Sequence, residues 1–190
     1  MNRETVTGLV LAAGFSSRMG EFKPALPIKG KPLLHHSVET LLSVCTQVVV
    51  VTGHKREEVE ELLRPFPTVV PVYNPDFETG MFSSVKAGAM VVDTPRFFLT
   101  PGDIPFFSRK TCEQLLSCQG AVVSPVFNGK KGHPVLLDET VRQGIISATG
   151  SETLRDILHL YSTFLVNTSD EGILVDIDTQ TAYNRFKDQL

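Results

Sequence analysis

The sequence has few cysteines, no excess of charge and no long apolar run, and each of these shortages excludes a class of protein. Its three cysteines form no Cys-x-x-Cys pair, so neither a disulfide framework nor a zinc site is indicated. A net charge of −3 argues against nucleic acid as the main partner. The chain has no membrane-length apolar run and no signal-like apolar stretch near its start, so we expect a cytoplasmic protein without membrane contact.

The sequence also lacks internal repeats, low-complexity tracts and linkers. Its 190 residues, 42% of them hydrophobic and 21% charged, fit one globular domain with a substantial core. Apolar strand-like runs alternate with helix-like stretches, which is typical of an α/β sheet. We therefore expect a single α/β domain over residues 1–190, with a mostly parallel sheet flanked by helices.

The apolar runs and the turn residues between them predict where the elements lie. The valines within residues 47–52 indicate a central parallel strand that is buried on both faces. Asn128-Gly129 is a strong hairpin signal, and the run after it predicts a small antiparallel excursion. Strands are predicted at 6–12, 47–52, 68–73, 97–100, 121–125, 133–137, 163–166 and 173–175, and helices at 32–44, 56–64, from 83 onward, 108–118, 138–143, 153–160 and 180–187.

The loop after the first strand carries the strongest functional signal. Its glycines allow successive backbone N–H groups to face an anion, and its serines add hydroxyl donors. Arg18 and Lys23 supply positive charge, and arginine can bind two phosphate oxygens at once. These features predict a polyphosphate site, the alternative being a glycine-serine connection with a solvated arginine.

Two common phosphate-binding motifs do not match this loop. In a Walker A loop lysine would stand at Glu21. In the dinucleotide-binding pattern glycines would stand at Ser16 and Met19. The loop therefore carries neither of these two motifs.

Two later loops also follow predicted strands. Asp103 ends a strand, where a carboxylate can hold Mg²⁺ together with substrate phosphates; the alternative is a turn aspartate. Ser83 and Ser84 begin a helix whose N–H groups can face a ligand, and the alternative for Ser83 is a helix cap. The carboxyl ends of parallel strands share one edge of a sheet, so these residues are expected near the first loop.

Several stretches together resemble a known family. They are Leu11-Ala12-Ala13-Gly14-Phe15-Ser16-Ser17-Arg18-Met19-Gly20 with Lys23-Pro24, the segment from Asn74 to Gly88, Gly102-Asp103-Ile104-Pro105, Gly132-His133-Pro134 and Asp176-Ile177-Asp178-Thr179. The chain resembles the nucleotidyltransferases that make dinucleotide forms of the molybdenum cofactor, and among them the molybdenum cofactor cytidylyltransferases. Guanylyltransferase relatives prefer Leu-Ala-Gly-Gly, and Ala13 departs from that pattern toward the cytidylyl side.

The resemblance implies a Rossmann-like fold, an activity and a set of roles. The implied reaction transfers CMP from CTP to the terminal phosphate of a molybdopterin-type acceptor, with Mg²⁺ as cofactor, release of pyrophosphate and a molybdoenzyme as recipient of the product. The implied nucleotide-binding residues are Leu11, Ala12, Ala13, Gly14, Arg18, Lys23, Ser83 and Ser84; the implied catalytic residues are Arg18, Lys23 and Asp103; the implied metal ligands are Asp103 and Asp178; and the implied acceptor residue is His133.

Such a reaction needs little acid–base chemistry. A phosphate nucleophile is already anionic, so the protein mainly positions the reactants and neutralises charge. Two other functions stay open: nucleotidyl transfer to another phosphorylated small molecule such as a sugar or polyol phosphate, and non-catalytic carriage of molybdenum cofactor. His133 also has a structural alternative as the first residue of a strand, His54 is undecided, and Lys130 and Lys131 are solvated turn charges or attract an anionic acceptor.

Overall fold

A computed structural model describes residues 5–15, 22–149 and 152–187. The strands are β1 (Val6–Ala12), β2 (Pro27–Ile28), β3 (Lys31–Pro32), β4 (Gln47–Thr52), β5 (Val69–Tyr73), β6 (Arg96–Pro101), β7 (Val122–Phe127), β8 (Lys130–Lys131), β9 (Val135–Asp138) and β10 (Thr163–Asn167). The α-helices are α1 (Leu33–Leu42), α2 (Arg56–Leu63), α3 (Met81–Ala89), α4 (Arg109–Leu116), α5 (Glu139–Ser147), α6 (Leu154–His159) and α7 (Gln180–Phe186). Short 3₁₀ helices lie at Lys23–Ala25, Phe77–Thr79 and Glu171–Leu174.

The main sheet is mostly parallel, which confirms the predicted fold class. Its strand order is β10-β7-β9-β6-β1-β4-β5, and β8 pairs with β7. β1 is parallel to both β4 and β6, whereas β9 runs antiparallel between β6 and β7. The predicted antiparallel excursion is therefore confirmed, and its strand lies within the sheet.

Burial on both faces explains why the valine run of β4 forms a central strand. Successive side chains of a strand point to opposite faces. Val48 and Val50 pack in the cluster that contains residues of α1, α2 and α4, while Val49 and Val51 pack in the cluster that contains residues of α3, α5 and α6. All four are at most 1% exposed, and burying each such side chain contributes roughly 1.5–3 kcal/mol.

The strand predicted at residues 173–175 is wrong, because this segment begins in the 3₁₀ helix Glu171–Leu174. The Asp170 carboxylate accepts a hydrogen bond from the backbone N–H of Gly172 and starts that turn. Gly172 packs so closely on Phe106 that an added Cβ would lie 2.1 Å from the Phe106 carbonyl oxygen. Ile173 is fully buried, so the apolar run correctly predicted burial at this position but not the backbone conformation.

Helix caps and boundaries follow the sequence more closely. The side chains of Ser108 and Thr179 accept backbone N–H groups at the starts of α4 and α7, as predicted. α3 begins at Met81, two residues before the predicted start, after Gly80 at a φ of +121° that favours glycine. α5 extends to Ser147, beyond the predicted end at 143.

The position of β1 between β4 and β6 creates a crevice at the carboxyl edge of the sheet. The chain continues from β1 to β4 and β5 on one side of β1 and returns to β6 on its other side. Ligands of open α/β sheets bind at such a reversal. Backbone hydrogen bonds join the loops there, from Gly102 N to Leu11 O at 2.9 Å and from His54 N to Ala13 O at 3.1 Å.

Across residues 5–15, 22–149 and 152–187, no helix combines the length and the apolar character needed to traverse a bilayer.

Candidate active site

A cleft of about 420 Å³ lies at the carboxyl edge of β1 and β6. Its lining contains the following residues that the sequence predicted as functional: Leu11, Ala12, Ala13, Gly14, Lys23, Ser84, Asp103 and Asp178. Ser83 and His133 are not among the described residues that line it. Arg18 lies outside the described residues. The loop after the first strand, the start of α3 and the loop after β6 thus meet in one place.

Lys23 links two carboxylates at the floor of this cleft. Its Nζ donates to Asp103 Oδ2 at 3.0 Å and to Asp178 Oδ1. The three side chains are only 11%, 28% and 27% exposed, so their charges interact in a partly dehydrated setting. Burial acts to lower the pKa of Lys23, but the hydrogen bond to Asp178 and the charge of Asp103 outweigh it and raise that pKa above 10.5. Lys23 therefore stays a cation throughout the physiological pH range.

The carboxyl-terminal segment brings Asp178 to this site across a long sequence separation. The backbone N–H of Ile177 donates to the Asp103 carbonyl oxygen at 2.9 Å. The Ile177 side chain is fully buried in a small cluster with Ile28 and Leu33. A buried side chain and a backbone hydrogen bond thus fix the residues on either side of Ile177 beside the loop that carries Asp103.

Three aspartates at this site fit the donor set of a divalent cation. One carboxylate oxygen each from Asp103, Asp176 and Asp178 lies within 4.8 Å of the others. Mg²⁺ takes oxygen ligands and is commonly held by one or two carboxylates together with substrate phosphates. The chemistry of the donor set therefore matches the metal that the resemblance implies, and Asp103 and Asp178 would hold it with Asp176 beside them.

Asn74 organises the two serines at the start of α3. Its Nδ2 donates to Ser83 Oγ at 2.8 Å and to Ser84 Oγ at 3.0 Å. Ser83 Oγ also lies 2.8 Å from the Gly80 carbonyl oxygen, so its hydroxyl proton is used within the turn. Ser84 is 4% exposed and lines the cleft. The neighbouring serines thus differ, with one built into the turn and the other facing the cleft.

Aromatic side chains form part of the cleft wall. The ring of Phe15 lies 5.0 Å from the ring of His54 and 5.3 Å from the ring of Phe77. Phe15 and Phe77 line the cleft, and Phe15 is 49% exposed. His54, which the sequence left undecided, supports Phe15 through this ring contact.

A second cavity, of about 450 Å³, adjoins the cleft. Leu11, Met81 and Pro101 line both spaces. Lys131, His133, Arg155 and His159 line only the second cavity, which also has apolar walls from Leu99, Val122, Leu154 and Leu158. The structure thus places His133 outside the first cleft and in a separate space beside it.

His133 is held in the second cavity by a close packing contact of the residue before it. An added Cβ on Gly132 would lie 2.4 Å from the Ile173 carbonyl oxygen, so only glycine fits there without a shift. The same oxygen accepts the backbone N–H of His133 at 3.0 Å. The side-chain Nδ1 lies 3.4 Å from the Leu99 carbonyl oxygen, and burial lowers the pKa of His133 below 6.5. The imidazole is therefore mainly neutral at pH 7.

Sequence reasoning missed several residues of these two spaces. Asp176 carried a usable signal, because residues two apart in an extended segment face the same side and Asp178 was already selected. Phe15 and Phe77 had no distinguishing signal, since an aromatic residue in a loop is more often packed than ligand-binding. Arg155 and His159 were also missed.

The chain is similar in sequence to several known proteins. The family described as "MobA-like NTP transferase domain" matches residues 8–166. The molybdenum cofactor cytidylyltransferase of Escherichia coli is 32% identical over 173 residues, which cover 90% of each chain. The nicotine blue oxidoreductase of Paenarthrobacter nicotinovorans is 31% identical over 92% of each chain.

Solved structures agree on the fold. A nucleotidyl transferase from Methanothermobacter superposes with a TM-score of 0.83 at 22% identity, covering 97% of this chain and 96% of that one. Similarity at this identity concerns the fold, whereas the family match extends over most of the chain in sequence. The chain belongs to the MobA-like NTP transferase family, a family of nucleotidyltransferases.

Proposed function

We propose that this protein transfers CMP from CTP to the terminal phosphate of a molybdopterin-type acceptor and releases pyrophosphate. The observation that carries the proposal is the cluster of Lys23, Asp103 and Asp178 at the floor of the cleft. A lysine and two carboxylates at the switch point of an α/β sheet match what a metal-bound triphosphate requires. Similarity over 90% of the chain to a molybdenum cofactor cytidylyltransferase supports the choice of acceptor.

We assign different roles in this reaction to the residues of the cleft. Ala12, Ala13 and Gly14 offer backbone groups to the base and ribose, and Ser84 adds a hydroxyl from the start of α3. Lys23 and Arg18 stabilise the negative charge that grows on pyrophosphate as it leaves. Mg²⁺ held by Asp103 and Asp178 would neutralise phosphate oxygens and orient the leaving group. Transfer then depends on alignment of the acceptor phosphate with the α-phosphorus.

The proposed base preference rests on Ala13 and on the similar cytidylyltransferase. Ala13 is 5% exposed at the end of β1, and its Cβ would lie 2.8 Å from a Cβ added to Gly53. The Ala13 methyl therefore packs against the backbone of the next loop. We infer that this packing sets the depth of the base pocket and favours the smaller pyrimidine.

Pyrophosphate release tests the proposal directly. The protein with Mg²⁺ and molybdopterin would be offered CTP, GTP, ATP and UTP separately, and pyrophosphate would be measured by a coupled enzyme assay. We expect release with CTP that depends on both Mg²⁺ and molybdopterin. Release with GTP instead would retain the transferase and reject the cytidylyl assignment. Binding of one nucleotide without release would favour another phosphorylated acceptor, such as a sugar phosphate, or a carrier of molybdenum cofactor.

A redox function is a second candidate, because one relative of similar identity and coverage is named an oxidoreductase. A carboxylate trio with an embedded lysine has no evident use in the transfer of electrons, and this favours nucleotidyl transfer. Spectrophotometry separates the two functions. Oxidation or reduction of nicotine blue, catalysed by this protein without any release of pyrophosphate from nucleotides, would replace the transferase proposal.

A further inference from the structure

The second cavity differs from the cleft in the charge of its lining. Among its described lining residues, Lys131 and Arg155 are cationic, two histidines are present and no carboxylate occurs. The cleft, by contrast, includes Glu78, Asp103 and Asp178. A cavity that has apolar walls and cationic side chains but no carboxylate favours a ligand with an apolar body and an anionic group.

The face that α6 turns toward the cavity explains this charge. Leu154, Arg155, Leu158 and His159 line the cavity and lie on one side of the helix. Ile157 points into the core and is 6% exposed, which fixes the rotation of the helix. The Asp156 carboxylate is used in the cap of Thr153, where its oxygen accepts the Thr153 backbone N–H at 2.8 Å.

Neither cation of the cavity forms an ion pair within 4.0 Å among residues 5–15, 22–149 and 152–187. The pKa of the neighbouring Asp156 is lowered mainly by hydrogen bonds with Thr153, and the charge of Arg155 also helps to lower it. Arg56, Arg109 and Arg142 each bond a carboxylate on their own helix, and Arg64 bonds Glu61 of the helix that it follows. No carboxylate of the described residues lies within 4.0 Å of the side-chain nitrogens of Arg155 or Lys131. Both side chains can therefore bind a ligand without first breaking an internal ion pair.

The position of the cavity relates this charge to the reaction. Leu11, Met81 and Pro101 line both this cavity and the cleft, whereas the residues of α6 line only this cavity. An acceptor in this cavity can direct its reacting phosphate past these three shared residues toward the nucleotide. Its remaining part then faces the cations.

We propose that Arg155 and Lys131, with His159 beside them, bind a second anionic group of the acceptor, distinct from the phosphate that reacts. This inference rests on the proposed function and adds a requirement to it. The acceptor is a molecule with an apolar body and two anionic groups, of which one is nucleotidylated and the other is held at α6. Simple monophosphate acceptors lack the second group and would bind weakly.

Charge-removing variants test this assignment, and the chain offers a matched control. Arg155→Gln and Lys131→Gln each remove one cation from the cavity, whereas Lys130→Gln removes its exposed neighbour, which does not line it. Loss of one charge-assisted hydrogen bond should raise the KM for molybdopterin about tenfold. The KM for CTP and the kcat at saturating molybdopterin should stay within about twofold in each variant, and Lys130→Gln should leave all three unchanged.

A binding measurement separates failure of this inference from failure of the proposed function. Equilibrium dialysis of molybdopterin against the wild type and the variants, with and without a non-cleavable CTP analogue, requires no turnover. Weaker binding in Arg155→Gln and Lys131→Gln supports the inference even if the wild type releases no pyrophosphate, an outcome that would overturn only the transferase proposal. Equal binding by all variants, or no binding by the wild type, would overturn the inference.

Discussion

Two neighbouring cavities of similar volume occupy the same edge of the sheet, yet their charges are opposite. The cleft of about 420 Å³ is built around aspartates that surround Lys23, and the second cavity of about 450 Å³ is lined by cations. Both ligands of the proposed reaction are anionic, so a carboxylate-rich cleft is useful only with a cation between protein and phosphate. The cation-lined cavity can bind an anion directly.

Under the proposed function, this difference assigns the chemistry to the cleft and recognition of the acceptor to the second cavity. In the cleft, Asp103, Asp178 and Lys23 meet over sequence separations of 80 and 155 residues, and hydrogen bonds restrain them. In the second cavity, Arg155 and Lys131 are exposed and bind none of the described carboxylates. Restrained charges suit a reaction centre, whereas accessible charges suit capture of a substrate.

The largest expected effect comes from neutralising the carboxylate shared by Lys23 and the candidate metal site. We expect Asp103→Asn to lower kcat at least about 100-fold, because the variant loses the negative charge that would hold Mg²⁺ and that binds the Lys23 ammonium. The fold should persist, since the side chain is 28% exposed and asparagine has the same shape. Pyrophosphate release and circular dichroism measure the two effects.

The matched control for this variant is Asp93→Asn, at an exposed position that does not line the cleft. It should retain full turnover. Near-normal turnover of Asp103→Asn with Mg²⁺ would remove Asp103 from the mechanism and with it the contrast between the two cavities.

The next largest effect is expected for Lys23→Met. Loss of the ammonium should lower kcat by about 30- to 100-fold, because growing charge on pyrophosphate is no longer neutralised. Lys110→Met, at an exposed helix position, is the control and should be unaffected. A Lys23→Met protein that keeps wild-type turnover would limit the lysine to a structural role.

Lys23 also predicts how stability depends on pH. Its pKa lies above 10.5 in the folded protein, so its ion pairs stabilise the fold fully below pH 10.5 and lose that contribution as pH rises through the folded pKa. The difference in unfolding free energy between wild type and Lys23→Met should therefore be constant from about pH 7 to 9 and shrink above about 10.5. Urea titrations across this range measure it. A difference that already shrinks below about pH 9 would contradict a raised pKa.

A smaller effect should distinguish the two serines of α3. Ser84→Ala should raise the KM for CTP about three- to tenfold, because a buried hydroxyl that lines the cleft is lost. Ser83→Ala loses the same hydrogen bond from Asn74 but no cleft-lining group, so the KM should change less than about twofold. Steady-state kinetics of the pair decide the point. Equal increases in the KM for CTP would show that both substitutions act through the lost hydrogen bond from Asn74, and not through loss of a hydroxyl from the cleft.

The smallest predicted effect concerns His133 and stability at mildly acidic pH. Burial lowers its pKa below 6.5, so between its unfolded and folded pKa values the unfolded chain binds more protons than the native protein. Wild-type stability should therefore fall as pH drops below about 6.5, and His133→Gln should fall less steeply. Urea midpoints between pH 7.5 and about 5 measure the difference. His36, whose pKa burial also lowers, remains in both proteins and cancels. Parallel curves would indicate a solvated His133.

Local patterns in the sequence predicted much of the framework. The β1 and β4 bounds agree with the prediction residue by residue, because continuous apolar runs followed by the glycine-containing turns at Gly14 and Gly53 leave little choice of conformation. The 3₁₀ helix at Glu171–Leu174 was not predicted, since a run of three apolar residues does not distinguish a strand from a turn of helix. Placement of β9 between β6 and β7 depends on pairing across the sheet and has no local signal.

For the candidate site too, local sequence predicted some features and not others. Lys23 and Asp103 could be predicted from the sequence, because each follows a predicted strand and has a side chain that can bind phosphate or Mg²⁺. Asp178 was predicted from the family resemblance. Their mutual contact depends on the buried Ile177 and its backbone bond to Asp103, which no local pattern encodes. Arg155 and His159 were not predicted as cavity residues, because packing of Ile157 decides which face of α6 lines the cavity.

The most direct test of the two-cavity account is whether both substrates bind at once. Molybdopterin would be titrated into protein alone and into protein saturated with Mg²⁺ and a non-cleavable CTP analogue, with binding measured by calorimetry. Separate cavities predict a ternary complex in which molybdopterin binds at full stoichiometry and with at most a severalfold change in affinity. Loss of molybdopterin binding in the nucleotide-saturated protein would contradict the account, because it would mean that both ligands compete for one space.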